Sequence, residues 1–137
     1  MAYWLVKSEP ASYSWDQMVK DGRTFWSGVR NFQASNNLKA MKTGDRAFFY
    51  HSGEERAVVG IVEVAKEYYP DHTDKTGKFG MVDMKAVMPL KTPVTLAQVK
   101  AEPRLAELPL IRLSRLSVQP VDAKSWQLIC KMGGIKA

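Results

Sequence analysis

The chain has 137 residues, 45% hydrophobic and 25% charged, the composition of one ordinary domain with a packed core and not of a disordered segment. No apolar run approaches the roughly 18 residues that a membrane span needs, so no membrane association is expected. Twenty basic against fourteen acidic residues leave a net charge of +6, which suits a polyanionic partner whose phosphates collect cations through counterion release.

Residues 51–90 are slightly acidic and both flanking portions are basic. The single cysteine, Cys130, excludes an internal disulfide and sits in a helical pattern where a buried thiol is expected. A reducing cytoplasm is the simplest home for such a chain. The start, Met1 to Lys7, has neither a basic leader nor an apolar region of secretory length, and is read as the first strand of the mature fold.

Tyr3 to Lys7 reads as a strand that stops before Pro10. Ser14-Trp15-Asp16-Gln17 is a capping box with Tyr13 and Met18 as its staple, predicting a short helix that ends at Asp21-Gly22. Trp15 is expected on the surface or half-buried. Ala34, Leu38 and Met41 share one helical face, so a second helix is expected from about Asn31 to Gly44. Arg46 to His51 and Ala57 to Tyr68 read as strands joined by the turn Ser52-Gly53-Glu54-Glu55. Gly60 inside the second of them signals a bulge or the close approach of another group.

Pro70 to Gly80 is polar and turn-rich, a loop, and Met81 to Val87 alternates like a strand with one wet face. Thr95-Leu96-Ala97-Gln98 is a second capping box, stapled by Val94 and Val99, opening a short helix that Pro103 interrupts. Leu113 to Val118 is expected to be the last strand. Trp126, Ile129 and Cys130 mark a final helix, with Asp122 as cap and Gly133-Gly134 as stop. Short strands and helices without regular βαβ spacing, repeats or a linker predict a single α+β domain, residues 1–137, around a strongly bent sheet or small barrel.

Phe25-Trp26-Ser27-Gly28-Val29-Arg30-Asn31-Phe32-Gln33-Ala34 follows neither periodicity. Trp26 offers a flat stacking face, Gly28 permits close backbone approach, and Ser27, Asn31 and Gln33 present donors and acceptors. The stretch suits a pocket for a planar, polar-edged ligand, and equally a buried Trp anchoring a turn before a helix. Trp4 and Trp126 sit at apolar-periodic positions and are expected in the core.

Enzymatic machinery is not found. There is no phosphate-cradling glycine loop and no nucleophile elbow. His51, His72 and Cys130 share no ligand spacing, so neither a metal nor any other cofactor is expected. His51 is the one candidate acid or base, and a histidine at a strand end beside Ser52 serves as readily in a structural hydrogen bond. Aromatic faces interleaved with cations, Trp26 with Arg30 and strand-end Lys7 and Arg115, match instead the pattern of single-strand and flipped-base readers.

These strings carry a family resemblance. Tyr3 to Pro10, Trp26 to Ala34, Phe48 to Ser52, Val59 to Val64 and Ser114 to Val121, in this order, resemble the EVE domain across nearly the whole chain. The resemblance implies a PUA-like fold, a bent mixed or antiparallel barrel-like sheet flanked by short helices, with kinship to YTH domains that hold a methylated adenine in an aromatic cage. It implies a reader of a modified base, a modified cytosine in DNA or a modified RNA, taken up flipped or splayed from its strand. Trp26 matches the cage tryptophan that stacks on the base, and Ser27 follows as a polar contact. Lys7 and Ser8 match positions beside the bound strand, Glu9 stands where YTH domains use Asn, and Arg115 falls at a phosphate-binding position. A second cage tryptophan would align near Met84, where none is present, so the resemblance implies an open or one-sided cage.

The expected base pocket therefore comprises Trp26, Ser27, Glu9, Ser8, Asn31, Phe32, Tyr50, His51, Ser52 and Met84, with Lys7, Arg30 and Arg115 on the phosphates of DNA or RNA. The protein is taken as a monomer. The alternative is a sensor or hydrolase of a free modified nucleotide, using the same pocket with His51 as acid or base.

Overall fold

The computed structural model describes residues 1–136. Its elements in chain order are β1 (Tyr3–Ser8), α1 (Trp15–Asp21), β2 (Arg23–Phe25), α2 (Phe32–Ala40), β3 (Arg46–His51), β4 (Ala57–Pro70), β5 (Gly80–Thr95), α3 (Leu96–Ala101), a 3-10 turn (Pro103–Leu105), α4 (Pro109–Arg112), β6 (Val118–Val121) and α5 (Ala123–Met132). The six strands form one mixed sheet in the order β2-β5-β4-β3-β1-β6. β1 and β3 run parallel, and every other neighbouring pair is antiparallel. The expected bend is produced by register shifts: β4 slips against β5 between Val58 and Gly60, Ile61 and Val62, Val64 and Lys66, and Lys66 and Tyr69. Each shift adds local twist. The edge strands β2 and β6 do not pair, so the sheet stays open and is not a closed barrel.

The central strands are buried on both faces, and alternation sorts their side chains. Trp4, Val6, Ala47 and Phe49 point to one core, which α1 and α2 cover with Met18, Ala34 and Leu38. Leu5, Phe48 and Tyr50 point to the other, covered by Val99, Leu105, Leu110, Trp126 and Ile129. There the Trp126 ring lies between Phe48, 3.9 Å away, and Tyr3, 4.4 Å away, near-parallel to both.

Caps set the helix starts as the sequence predicts. The Ser14 side chain accepts from the Gln17 amide, Asn31 from the Ala34 amide, and Asp122 from the Ser125 amide. Thr95 and Gln98 form the full reciprocal box. At Ser14 only half of the box forms, because the Gln17 amide group turns to Asp21 instead.

Four expectations are corrected. Trp15 is buried, since Gly60 leaves room for it: a Cβ at Gly60 would lie 2.5 Å from the indole. The last strand is Val118–Val121 and not Leu113–Val118. Leu113 closes α4, while Pro120 is accommodated because β6 is an edge strand, where a missing N–H goes unused. β5 runs on to Thr95 through Pro89 and Pro93, since β2 covers only Asp83 to Lys85 of its outer side and Pro89 stands at the slip opposite Gly60. Finally, α2 stops at Ala40, and Met41 leaves the helix to fill the core.

Gly60→Ala tests the Trp15 contact. A methyl group forced into that ring is expected to cost about 1–3 kcal/mol through overpacking. Urea denaturation should show a lower midpoint with an unchanged slope.

Candidate functional site

A cleft of about 460 Å³ opens where the C-terminal end of β1 meets β2. Trp26 continues the β2–β5 ladder by one bond, its amide donating to the Val82 carbonyl at 2.7 Å. Its ring packs edge-on against Phe49 at 5.6 Å and 86° and against Tyr13 at 6.4 Å and 90°. Trp26 is only 8% exposed, so both readings of the sequence hold together: the ring is a core side chain that also lines the cleft.

Tyr13 supplies a second aromatic wall that the sequence did not single out as a ligand contact. It had a role as the staple of α1, and nothing in the linear pattern shows that the staple ring also borders a cleft. The 9–13 turn places it there: the Glu9 carbonyl accepts from the Ser12 and Tyr13 amides at 2.9 and 2.8 Å, and Ser8 Oγ donates to the Tyr13 carbonyl at 2.5 Å. The Tyr13 hydroxyl donates to Asp21 at 2.7 Å. Burial, together with this carboxylate, pushes the phenol up to about 12, so it remains a neutral donor. With Met84 in place of a second tryptophan, the cleft is an open corner whose two aromatic walls are Trp26 and Tyr13.

Polar groups complete the lining. Ser8, Ser27 and Thr24 present hydroxyls, and Glu9 stands exposed at the mouth beside Gly53, where a Cβ would come within 2.7 Å of its carboxylate. Lys7 donates from Nζ to the Ser114 carbonyl at 2.6 Å, and burial pulls its ammonium below the usual value. Phe25 is exposed at the rim, with its ring edge-on to His72.

Other predicted members lie elsewhere. Met84 is fully buried beneath the sheet. Tyr50, one residue out of phase with Phe49, faces the opposite core. His51 is buried, and its Nε2 accepts from the Trp15 amide at 2.9 Å while Nδ1 meets Glu55 at 3.0 Å. It caps α1, and both ring nitrogens are occupied. Ser52 serves through its backbone, donating to the Ser8 carbonyl at 2.9 Å. Asn31 caps α2 and borders a separate shallow cleft of about 290 Å³ with Gln33 and Arg115. Among the described residues Arg115 makes no hydrogen bond or ion pair. Ser114 lines the same cleft, so the Lys7–Ser114 bond is the partition between the two. Phe32 points away from the Trp26 cleft toward Phe79.

Arg30 is half of an ion pair and not a free cation. Asp71, its partner, is buried and accepts four hydrogen bonds: from the Gly28 amide at 2.8 Å, Arg30 Nη1 at 3.0 Å, and the Thr73 amide and hydroxyl at 2.7 and 2.6 Å. Gly28 reaches this contact with φ +83°, a conformation that favours glycine. Burial alone would raise the Asp71 carboxyl; the bonds from Thr73, Gly28 and Arg30 outweigh it and hold it at about 2. One carboxylate thus fixes the loop that follows Trp26 and Ser27.

A larger cleft of about 800 Å³, bordered by Lys91, Lys131 and Lys136, lies on the far side of the sheet and presents no aromatic ring. Among the described residues no group of side chains could hold a metal ion, and no helix is long and apolar enough to cross a membrane.

Comparison with known proteins places this geometry. The family model for the EVE domain matches residues 2–132. A protein of Rhodopseudomonas palustris solved by NMR is 61% identical, with a TM-score of 0.93 over 98% of this chain and 94% of that one. Human thymocyte nuclear protein 1 is 32% identical over 96% of this chain and 73% of its own length. Its crystal structure in complex with DNA containing 5-methylcytosine matches at TM-score 0.93, 30% identity and full coverage of both chains. The YTH domain of Zygosaccharomyces rouxii MRB1, solved with N6-methyladenosine RNA, shares the fold at TM-score 0.63 and 14% identity, covering 96% and 86%.

Asp71 makes stability pH-dependent with a definite sign. Its folded pKa of about 2 lies below the ordinary aspartate value of 3.8. The stabilisation is therefore complete above pH 4 and lost as pH falls toward 2, by an amount on the order of 2 kcal/mol. Urea unfolding at pH 7, 4 and 2 should show Asp71→Asn less stable than the parent at pH 7, with the gap closing at pH 2.

Proposed function

The chain belongs to the EVE domain family, and from that premise we propose that it is a non-enzymatic module that binds nucleic acid by taking a modified base, a modified cytosine in DNA in the first instance, into the Trp26 cleft. The observation that carries this reading is the right-angled corner of Trp26 and Tyr13 at the wall of a cleft of about 460 Å³. The methylcytosine-containing DNA bound to human thymocyte nuclear protein 1, on a chain of the same fold and 30% identity, supplies the ligand class.

Each residue then has a task. The base lies against Trp26 with Tyr13 closing a second side. Glu9, an acceptor at the mouth, suits the exocyclic amine of cytosine, and the Ser27 and Thr24 hydroxyls take the remaining polar edge. Extracting a base costs a few kcal/mol, and stacking on one aromatic returns about 1–3 kcal/mol. Phosphate contacts must supply the remainder. Lys7, held at the partition, and the unpaired Arg115 beyond it stand on the same side of the cleft and suit two flanking phosphates. His51 has no part in this, since its nitrogens are engaged in holding α1.

The test is fluorescence anisotropy with short DNA and RNA oligonucleotides that carry cytosine, 5-methylcytosine or 5-hydroxymethylcytosine at one position, at two salt concentrations. Binding should fall steeply with salt and favour one modified base. Trp26→Leu keeps an apolar side chain in the core while removing the stacking face, and should erase the preference in a protein whose circular dichroism still shows the native fold. Arg115→Ala should weaken binding to all the oligonucleotides alike and reduce the salt slope by about one. Equal binding of modified and unmodified cytosine, in DNA and RNA and at both salt concentrations, would overturn the reading.

A further inference from the structure

The loop of residues 71–79 between β4 and β5 is more ordered in its bonding than a connector needs to be. Asp71 holds Gly28, Arg30 and Thr73, as described. Asp74 accepts from the Thr76 amide and hydroxyl at 2.9 and 2.6 Å, and from the Lys78 and Phe79 amides at 3.0 and 2.8 Å. Both carboxylates are consumed inside the loop or against the Trp26 segment. The charges left facing outward are Lys75 and Lys78, both exposed and without an ion pair among the described residues.

Beside these cations stands a pair of phenyl rings. Phe32 and Phe79 lie 4.9 Å apart at 33°, and the Arg30 guanidinium sits over Phe79 at 5.8 Å. Phe32 is 64% exposed at the first position of α2, with one side of its ring against Phe79 and the rest open. A scattered exposed apolar residue is ordinary. This one differs in being mounted on a second ring, which is carried by a loop that a buried carboxylate ties to the segment following Trp26.

We propose that Phe32 and Phe79 form a second base-stacking site, which takes a nucleotide close along the strand to the base held at Trp26. The inference rests on the reading that the Trp26 cleft takes a base. Charge complementarity decides the occupant: an aromatic face flanked by the exposed Lys75 and Lys78 offers a stacking surface and phosphate attraction together, the combination that single-stranded nucleic acid uses. Trp26 and Phe32 are six residues apart, at most about 20 Å of chain. At a rise of about 3.4 Å per nucleotide the two sites are then six positions apart or fewer. The minimal ligand is accordingly an oligonucleotide and not a free nucleoside.

The experiment uses the full chain and a single-stranded DNA oligonucleotide carrying one 5-methylcytosine. Each of the six neighbours on either side is replaced in turn by an abasic residue, and binding is measured for the parent, Phe32→Ala and Phe79→Ala. In the parent, one abasic position should weaken binding by about 5- to 150-fold, the range of one lost aromatic stack. Phe32→Ala should lose a similar factor on the intact oligonucleotide and nothing further at that abasic position. The proposal is overturned if no abasic position matters to the parent, if the two losses multiply, or if Phe32→Ala binds the intact oligonucleotide like the parent, as it would were the ring a contact for another protein. Discrimination between modified and unmodified base on the same oligonucleotides reports the Trp26 cleft separately: its absence with the Phe32 coupling intact overturns the cleft assignment and leaves the stacking site standing.

Discussion

Phe49 is the ring on which the functional side of the molecule is assembled. It lies on β3 opposite Gly60, at the register slip between Phe49 and Tyr50. Three rings meet it edge-on: Trp15 at 5.3 Å, Trp26 at 5.6 Å and His51 at 5.7 Å. Edge-to-face pairs of this kind add about 0.5–1.5 kcal/mol each beyond the area they bury. Their larger effect is positional. Trp15 can approach only because Gly60 has no side chain, His51 anchors the first turn of α1 through the Trp15 amide, and that helix in turn fixes Tyr13. The two walls of the cleft, Trp26 and Tyr13, are thus both located by one buried phenylalanine, directly in the first case and through α1 in the second.

The charged groups divide into those that hold the site and those left for a ligand. Asp71 and Arg30 neutralise each other, and Asp74 is saturated by its own loop. Arg104 pairs with Glu102 and Arg112 with Glu107 at the surface, where such pairs contribute little to stability. Net charge therefore overstates the cations available to a polyanion, and their location matters more than their number. Arg115, Lys75 and Lys78 are exposed on segments that border the Trp26 loop, while Lys7 is held at the partition by a carbonyl. Near the cleft the exposed Asp21 holds the Tyr13 hydroxyl, and Glu9 stands at the mouth as an acceptor.

Much of the fold was legible because it is written in local chemistry. Four cap residues start their helices at the predicted positions, since each needs only its own side chain and the amide three residues on. The strand Arg46–His51 is found with its predicted bounds. Gly60 was marked as a place of slip or close approach, and both occur. Where the reading failed, a tertiary neighbour overrode a local signal. The strand expected over Met81 to Val87 runs on through Pro89 and Pro93, and β6 contains Pro120, because these prolines stand at a slip or on an open edge where no partner asks for their N–H. Trp15 read as a surface or half-buried residue because its full burial depends on a glycine 45 positions away.

The same division holds for the site. The family, and the gathering of Trp26, Ser27, Lys7, Ser8 and Glu9 at one cleft, were determined by the sequence, because these residues fall in two short segments with distinctive composition. Which further residues join them was decided only by tertiary structure. Strand alternation turns Tyr50 to the opposite core, the β2–β5 pairing buries Met84, a cap occupies His51, and the Asp71 ion pair neutralises Arg30. In their place the fold brings in Tyr13 from the turn after β1. A linear pattern states what a side chain can do; whether its face or its lone pair is still free depends on neighbours that only packing brings together.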